Sequence, residues 1–370
     1  MKKNTERYCP SCGKVITDAV HLMTSADVGR CRYASNIPID TYYVDYINGF
    51  GGVVPEEDEL KQIVFTDASA KDYSYISMRG NHYVYETQTG HKKKISSYAC
   101  PYCHTNVTNV LAAQNVNPVL LVGQMSAAKT CCTVSSVVKA EQMRTDLETT
   151  ICTVFCSGSF EERYYRKLAD QLRDPFHPKA PDSTHPLDGM ITRQPLAFFS
   201  IKNKNTSKKL VCLIDYPGEV AEEGRLETPE SSVIALLVDG SKSFQEQIGF
   251  LLAQARQLEA DASRYVILVT KCDLLDAQAV RNIMLAHFTE QTAFRNFSDL
   301  AAARRCQLAE RLKQDFPALS QFYQLLRRHL NKRVDVVFCS ALGCNTNSQN
   351  ELQDEYKPQY MADMLLTFAE

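Results

Sequence analysis

The chain lacks both a large net charge and a long apolar run, and each absence excludes a class of protein. Its 370 residues carry 41 Lys and Arg against 43 Asp and Glu, a formal net charge of -2. Such a chain has no bulk attraction to nucleic acid or to an anionic membrane. No apolar run approaches the length that crosses a bilayer, and no apolar segment follows the N-terminal lysines. We therefore expect no membrane span, no signal peptide and a cytoplasmic location.

Several catalytic patterns are missing as well. The sequence contains no HExxH motif, no Ser–His–Asp array and no paired-carboxylate site, which argues against the common hydrolase chemistries that use them. What remains is an ordinary soluble composition, with 44% hydrophobic and 23% charged residues. A chain of this length is long enough for two domains, each with its own core.

The chain is rich in cysteine, with 14 residues of this type. A disulfide framework is not expected in a long chain without a secretion signal. Most of the cysteines, such as Cys212, Cys272 and Cys339, lie in apolar segments and are predicted to be small buried hydrophobes.

Four cysteines form two matched pairs. Cys9 and Cys12 stand in CPSC, and Cys100 and Cys103 stand in CPYC. Two Cys-x-x-Cys pairs supply the four thiolates that a structural zinc ion prefers, so we predict a zinc site. The separation of the pairs is unusually long, which leaves His104 and Cys31 as substitute ligands and four unconnected thiols as the alternative.

The residues between the two pairs are rich in tyrosine and alternate in polarity. Four segments have strand character, namely TYYVDYI (41–47), QIVFTDA (62–68), DYSYISM (72–78) and HYVYETQ (82–88). We predict a small, mostly antiparallel β domain over residues 1–110, closed by zinc. The run HKKK (91–94) could contact nucleic acid or a phosphoprotein, but we interpret it as a solvated turn. The polar stretch 104–117 is interpreted as the connection to the next domain.

A second domain, residues 117–370, begins with PVLLVGQMSAAKTCCT (118–133). A buried strand that runs through a glycine turn into a helix is how a chain wraps backbone N–H groups around a phosphate. Lys129 would reach the outer phosphates, and the Thr130 hydroxyl would bind magnesium. Beyond this segment, apolar strands alternate with amphipathic helices, which predicts an α/β fold: a mostly parallel sheet with helices on both faces.

Polar motifs recur where these strands end, and ligands bind at that edge of a parallel sheet. DYPG places Asp215 on the magnesium and Gly218 near the γ-phosphate. TKCD contributes Thr270, Lys271 and Asp273, whose carboxylate accepts two hydrogen bonds from guanine and none from adenine. The last strand ends in Ser340, Ala341 and Leu342, which would contact the purine oxygen.

Two long insertions elaborate this second domain. The first precedes a strand at 196–202, with an extra helix predicted over 161–173 and a Pro-rich loop at 175–195. The second, about 276–330, has apolar residues at helical spacing.

The motifs GQMSAAKT, DYPG, TKCD and SAL, in this order and each at a strand end, resemble those of the Ras-like GTPases of the TRAFAC class of P-loop proteins. The resemblance implies GTP or GDP and Mg²⁺ as cofactors, with Thr130 and Asp215 on the magnesium. It assigns the phosphate loop, Gly123, Gln124, Ser126, Ala127, Ala128, Lys129, Thr130 and Cys131, to the nucleotide. It also implies catalytic roles for Lys129, for Glu219 and for a switch threonine, for which we choose Thr192 over Thr184.

Three residues depart from this family pattern. Ala128 replaces a glycine of the phosphate loop, Thr270 replaces the usual asparagine, and Glu219 stands where a glutamine often orients the attacking water. A carboxylate beside the γ-phosphate is unfavourable, so we expect a GTP switch with slow hydrolysis. The alternative is a scaffold that does not hydrolyse GTP.

The chain also looks like the double-GTPase proteins of bacterial conflict and signalling operons, some of which carry zinc knuckles. This resemblance implies a protein partner that binds the zinc domain or the switch region. A nucleic-acid partner is possible but not favoured, and no membrane partner is expected.

Overall fold

The structure is a computed structural model that describes residues 9, 12, 14–48, 56–112, 116–140, 149–155, 160–181, 195–203, 208–223, 226, 229, 232–285 and 308–370. The chain forms two compact units. The first comprises Met1–Gln114 and Phe155–Tyr164, and the second comprises Asn115–Val154 and Tyr165–Glu370.

The first unit is built from short elements. Its strands are β1 (Val20–Met23), β2 (Ile63–Phe65), β3 (Ile76–Arg79), β4 (His82–Glu86), β5 (Lys92–Lys94) and β6 (Ser97–Ala99). Its helices are α1 (Ser25–Val28), α2 (Thr41–Asn48), α3 (Glu57–Leu60) and α4 (Thr108–Ala112). In the described part of the unit, these strands form two antiparallel sheets, ordered β2-β1-β6 and β3-β4-β5. The antiparallel character predicted from the alternating segments is present.

One apolar cluster joins these two sheets. Met23 of β1, Phe65 of β2 and Tyr85 of β4 are each at most 2% exposed and belong to it, together with Cys31. Burial of such side chains contributes about 1.5–3 kcal/mol each. Three-stranded sheets need a packed face to be stable, and this cluster supplies it.

The segment 41–47 forms helix α2, so its prediction as a strand is wrong. Tyr43, Tyr46 and Ile47 are buried together, which is the i, i+3, i+4 spacing of one helix face. The carboxylate of Asp40 accepts hydrogen bonds from the backbone N–H groups of Tyr42 and Tyr43, at 3.1 and 3.3 Å, as an N-terminal cap does. Tyrosine-rich composition misled the prediction, because the buried positions have a helical period.

The lysine run is not a turn, which corrects the second expectation about the first unit. Lys92–Lys94 forms strand β5, paired with β4 through Val84↔Lys94, Tyr85↔Lys93 and Glu86↔Lys92. The polar stretch after Cys103 is also more ordered than a simple connection, since it contains α4.

The rest of the chain contains longer elements. The strands are β7 (Val116–Val122), β8 (Thr149–Thr153), β9 (Ala197–Asn203), β10 (Lys209–Asp215), β11 (Ser232–Asp239), β12 (Ala262–Thr270) and β13 (Val334–Phe338). The helices are α5 (Lys129–Ala140), α6 (Phe160–Leu172), α7 (Gly218–Glu222), α8 (Phe244–Gln257), α9 (Ala277–Leu285), α10 (Pro317–Leu330) and α11 (Met361–Ala369).

Among the described residues, seven strands form the sheet of the second unit in the order β13-β12-β11-β7-β10-β9-β8. The first five of this order are parallel, and β9 and β8 pair antiparallel at one edge. Every residue of β11 and β13 is buried, as expected for parallel strands covered on both faces. The predicted α/β class, with a mostly parallel sheet, is confirmed.

This strand order positions the site. The chain leaves β7 and builds β10 on one side of it, and later builds β11 on the other side. The carboxyl end of β7 is therefore a topological switch point, where a crevice opens in sheets of this kind. The segment that follows β7 is the predicted phosphate loop.

The insertions of the second domain are partly outside the described residues. Strand β8 is not predicted by the sequence, and its residues pair antiparallel with β9. The extra helix predicted over 161–173 is α6. In the second insertion, α9 and α10 are helical as predicted, and residues 286–307 lie outside the described part. None of the described helices has the length and apolar composition that a membrane crossing requires.

Candidate nucleotide site and metal centre

A cavity of about 340 Å³ lies within the second unit, at the carboxyl ends of its parallel strands. Its lining includes members of every predicted motif: Ser126, Ala127, Ala128, Lys129, Thr130, Cys131, Asp215, Gly218, Lys271, Asp273, Ser340, Ala341 and Leu342. These residues come from four separate parts of the sequence. The fold brings them together because the ends of parallel strands meet at one edge of a sheet.

The loop between β7 and α5 has an alternating backbone. Ser126 has φ 66° and Ala128 has φ 63°, both in the left-handed region, while Ala127 between them does not. Such alternation turns successive N–H groups into one concavity that suits an anion. The N-terminus of α5 follows directly, and its helix dipole adds partial positive charge at the same place.

Lys129 is the first residue of α5 and is only 8% exposed. Its Nζ donates hydrogen bonds to the backbone carbonyls of Gly123 and Gln124, at 2.9 and 3.1 Å. The ammonium is thus held inside the loop that precedes it. Gly123 and Gln124 do not line the cavity, and their contribution is to position the Lys129 ammonium through their backbone carbonyls.

Asp215 ends β10 beside Thr130 of α5. The Thr130 hydroxyl donates to Asp215 Oδ2 at 2.7 Å, whereas Oδ1 is buried and has no hydrogen-bond partner among the described residues. Burial raises the pKa of Asp215 to about 6, against the opposing charge of Lys129. A buried carboxylate oxygen without a partner, next to a hydroxyl, is the oxygen-donor set that Mg²⁺ prefers, so these two residues fit the ion.

Gly218 lies against the phosphate loop. A Cβ atom at this position would overlap the backbone of Gln124 and Met125. Only glycine permits this approach, and the DYPG motif therefore places backbone, not a side chain, next to the loop.

The TKCD motif contributes a further part of the cavity wall. Thr270 donates from Oγ1 to the carbonyl of Val238 at 3.3 Å, which ties β12 to β11. Lys271 has φ 52°, so the chain turns sharply and places both Lys271 and Asp273 on the cavity wall. The carboxylate of Asp273 has no hydrogen bond or ion pair with the described part of the chain. It is available to accept hydrogen bonds from a ligand.

The loop after β13 is held in place by other elements. Ser135 of α5 donates to the carbonyl of Ala341 at 2.6 Å, and Ser340 Oγ accepts the N–H of Gly343 at 2.9 Å. Gly343 itself has φ 74°, a conformation that favours glycine. These contacts fix the backbone of Ser340, Ala341 and Leu342 at the cavity.

Asp239 is a site residue that sequence reasoning missed. It ends β11, and its side chain is 2% exposed. Its Oδ2 accepts from Lys271 Nζ at 2.8 Å, and its Oδ1 accepts from the Ser241 hydroxyl at 2.6 Å. Burial would raise the pKa of Asp239, but the hydrogen bonds from Lys271 and Ser241 hold it below its ordinary value. The available signal was an aspartate that directly follows an apolar run, residues 233–238.

The first insertion also contributes to the cavity, which the sequence did not indicate. Ala180 and Pro181 line it together with Asn345 and Asn350 of the loop after β13. The N–H of Ala180 donates to the carbonyl of Asn350 at 2.8 Å. The pairing of these two loops depends on tertiary contacts alone.

Two predicted catalytic residues are not placed. Thr192 lies outside the described residues. The backbone of Glu219 is in α7, and its side chain is not described.

The four paired cysteines come together in the first unit. Their Sγ atoms all lie within 4.8 Å of one another, with Cys9–Cys103 and Cys12–Cys100 each at 3.7 Å. A tetrahedron with zinc–sulfur bonds of about 2.3 Å has sulfur–sulfur edges of about 3.8 Å. Hydrogen bonds from Cys100, and then from Cys103 and Cys12, hold the pKa of Cys9 well below its ordinary value. The donor set and its spacing fit zinc.

A buried threonine supports this cluster. The hydroxyl of Thr105 lies 2.9 Å from Cys103 Sγ and 3.6 Å from Cys9 Sγ, and its carbonyl accepts the N–H of Cys100. Contacts of this kind orient metal ligands. The substitute ligands are excluded: His104 Nδ1 pairs with Asp40 at 2.9 Å, and Cys31 lies in the apolar cluster.

Comparisons with known proteins add little. No protein-family model and no curated protein matches the chain. Two solved structures of the S. cerevisiae Ski7 GTPase-like domain are similar, one bound to GDP and inorganic phosphate with 14% identity and one bound to GTP with 12% identity. Each has a TM-score of 0.33 and covers 71% of this chain and 51% of the other, so this chain spans about half the length of those proteins. At such values the function must be argued from the cavity.

Proposed function

We propose that the chain is a GTP-binding switch that hydrolyses GTP slowly. The observation that carries this proposal is that the phosphate loop, Asp215, Asp273 and the loop after β13, here called the Ser340 loop, all line one cavity. Isolated motifs of this length occur by chance, but their meeting at a topological switch point does not follow from chance.

The phosphates would bind at the loop that precedes α5. Backbone N–H groups around Ser126 and Ala128, the helix N-terminus and the Lys129 ammonium all contribute positive potential there. When bound between Thr130 and Asp215, Mg²⁺ would supply charge neutralisation on the outer phosphates. Gly218 brings backbone to the same point.

The base would bind between the TKCD motif and the Ser340 loop. Asp273 accepts hydrogen bonds from the N1–H and N2 amino groups of guanine, and adenine offers no such pair of donors. Lys271 lies on the same wall, with its ammonium fixed on Asp239. The ion pair leaves the aliphatic part of the lysine to cover the base.

Slow hydrolysis is proposed because Glu219 follows the DYPG motif. A carboxylate near the γ-phosphate repels the phosphate charge and is a poor replacement for a neutral amide that orients water. Thr192 is our proposed switch residue. The zinc-held first unit is proposed to bind a protein partner, in a signalling or conflict system of the kind implied by the sequence resemblance.

The test is thermal unfolding with GTP, GDP, ATP and magnesium. We expect GTP with Mg²⁺ to stabilise the second unit, by about 2.7 kcal/mol at a hundredfold excess over Kd, and ATP to have no effect. An Asp273→Asn variant should lose GTP affinity and gain affinity for xanthosine triphosphate. An equal response to ATP would contradict the proposal, and single-turnover binding without phosphate release would leave a scaffold that binds GTP but does not hydrolyse it.

A further inference from the structure

The end of strand β11 is hydrogen-bonded to the end of β12 next to the cavity. The N–H of Gly240 donates to the carbonyl of Thr270 at 3.0 Å, and the Thr270 hydroxyl donates to the carbonyl of Val238 at 3.3 Å. The two strands are parallel neighbours with Asp239 opposite Thr270, so their last residues lie side by side. The ion pair between Asp239 and Lys271 forms at this junction.

Asp239 is held in position by several neighbours. Its N–H donates to Gln247 Oε1 at 2.7 Å, and Gln247 Nε2 donates to the Asp239 carbonyl at 3.0 Å. Its Oδ1 accepts from the N–H and the hydroxyl of Ser241, at 2.9 and 2.6 Å, and its Oδ2 accepts from Lys271 Nζ at 2.8 Å. Because this carboxylate is buried, it attracts the Lys271 ammonium more strongly than an exposed carboxylate would.

Lys271 and Asp273 are two residues apart, and both line the cavity. The Lys271 ammonium is bound to Asp239, whereas the Asp273 side chain has no hydrogen bond or ion pair among the residues that the structure describes. The other carboxylate in the described lining is that of Asp215, which accepts from Thr130 at 2.7 Å. The fold thus keeps an ammonium and a carboxylate apart although they are close in the sequence.

A lysine ammonium without its own partner would compete with guanine for Asp273. Lysine has a flexible four-carbon stem and three donors, so a released Lys271 would pair with the available carboxylate on its wall. That pair would have to be broken before Asp273 could accept the N1–H and N2 amino groups of the base. The partner of Lys271 therefore decides whether Asp273 is free.

We propose that Asp239 is a positioning residue for guanine recognition, which holds the Lys271 ammonium away from Asp273 and leaves the Asp273 carboxylate free for the base. The inference rests on the proposed function, because it concerns the base-binding part of the same cavity. The Asp239 side chain is 2% exposed and does not line the cavity, so it acts through Lys271 and not on the ligand.

The experiment compares the affinity of the full zinc-loaded chain for GTP and for inosine triphosphate, which lacks the N2 amino group of guanine. Titration calorimetry with Mg²⁺ should show that the wild type binds GTP about tenfold more tightly or better, because one hydrogen bond to a charged acceptor is lost with inosine. Asp239→Asn keeps the side-chain shape but removes the charge, so the preference should fall to about threefold or less. Asp239→Ser, a second variant without the charge, should show the same loss.

A double substitution separates this role from a merely structural one. Lys271→Met keeps the aliphatic stem and has no ammonium that could reach Asp273. In the Lys271→Met background, adding Asp239→Asn should change GTP affinity by no more than about twofold, the limit for independent effects. If Asp239 only supported the fold through Ser241 and Gln247, its substitution would lower GTP affinity equally in both backgrounds.

Asp335→Asn is the matched control. Asp335 is a buried carboxylate of the same sheet that pairs with Arg264 at 2.9 Å and does not line the cavity, so its variant should keep the wild-type preference for GTP. Thermal unfolding should show that each variant is folded. A wild-type preference in Asp239→Asn, or an equal loss of affinity in the Lys271→Met background, would overturn the inference and leave the proposed function intact. Absence of GTP binding by the wild type would overturn both.

Discussion

Each of the two units of this chain is stabilised internally in a different way. In the second unit, strands such as β11 and β13 are buried along their whole length, and the sheet itself supplies the core. In the first unit, short strands enclose one apolar cluster, and four cysteines connect residues 9–12 with 100–103. A large sheet tolerates polar groups at its edge, whereas a small unit needs an added constraint.

The difference also governs where chemistry is located. The second unit keeps buried carboxylates, Asp215 and Asp239, at the ends of its strands, where neighbouring elements determine their protonation. The first unit instead brings together the four thiols of Cys9, Cys12, Cys100 and Cys103. We therefore expect metal removal and single substitutions to affect one unit and to leave the other unchanged.

Removal of zinc should have the largest effect. Cys100→Ser or a chelator should abolish cooperative unfolding of the first unit, since structural zinc contributes on the order of 10 kcal/mol of apparent binding free energy. The second unit should keep its stabilisation by GTP. Calorimetry measures the unfolding of each unit with and without GTP, and elemental analysis measures the zinc content. Cys152→Ser, at an exposed cysteine, is the matched control. A zinc content near zero in the native protein would contradict this prediction.

Gly218→Ala should affect only the second unit. The added methyl group overlaps the backbone of the phosphate loop, so we expect GTP affinity to fall at least tenfold while zinc content is unchanged. Gly249→Ala is the control: a Cβ atom there meets nothing within 4 Å, and replacing glycine inside α8 should stabilise the unit by about 0.5–1 kcal/mol. Titration calorimetry would refute the prediction if both variants bound GTP equally.

Asp215→Asn should weaken nucleotide binding and increase the free energy of unfolding of the second unit at pH 7. Burial in the folded state raises the pKa of Asp215 to about 6. The protonated carboxyl therefore stabilises the folded state below pH 4, and this stabilisation is lost as pH rises through 6. The metal-free wild type should lose up to about 3 kcal/mol over that interval, at 1.36 kcal/mol per pKa unit. The variant should lack this loss, be more stable than wild type at pH 7, and bind GTP–Mg²⁺ weakly.

Denaturant unfolding at pH 4 to 8 without magnesium measures this difference. Asp18→Asn, at an exposed position of the first unit, should leave the pH profile unchanged. A profile of Asp215→Asn identical to that of wild type would show that the carboxyl titrates normally.

Ala128→Gly should produce the smallest effect. Ala128 has φ 63°, where a side chain costs roughly 1 kcal/mol, so glycine should stabilise the second unit by about 0.5–1 kcal/mol. Ala127→Gly, one residue earlier and without positive φ, should destabilise by a similar amount. Thermal unfolding of the pair measures the difference directly. Equal effects of the two substitutions would mean that the loop is not strained.

The sequence by itself determined the alternation of buried strands and amphipathic helices, and hence the α/β class. It also determined the local chemistry of the loop before α5 and the pairing of each Cys-x-x-Cys, because these depend on neighbours a few residues apart. Parallel order then required that strand-end residues such as Asp215 and Asp273 meet at one edge.

Only the tertiary structure decided features that depend on distant partners. Segment 41–47 is a helix because Tyr43 and Ile47 find a common apolar surface, and Lys92–Lys94 is a strand because β4 offers a free edge. Asp239 became a site residue through Lys271, 32 residues later. The two Cys-x-x-Cys pairs are far apart in the sequence, with 94 positions between Cys9 and Cys103. No local pattern predicts that their four sulfur atoms meet, because the folding of the whole first unit sets the distances between them.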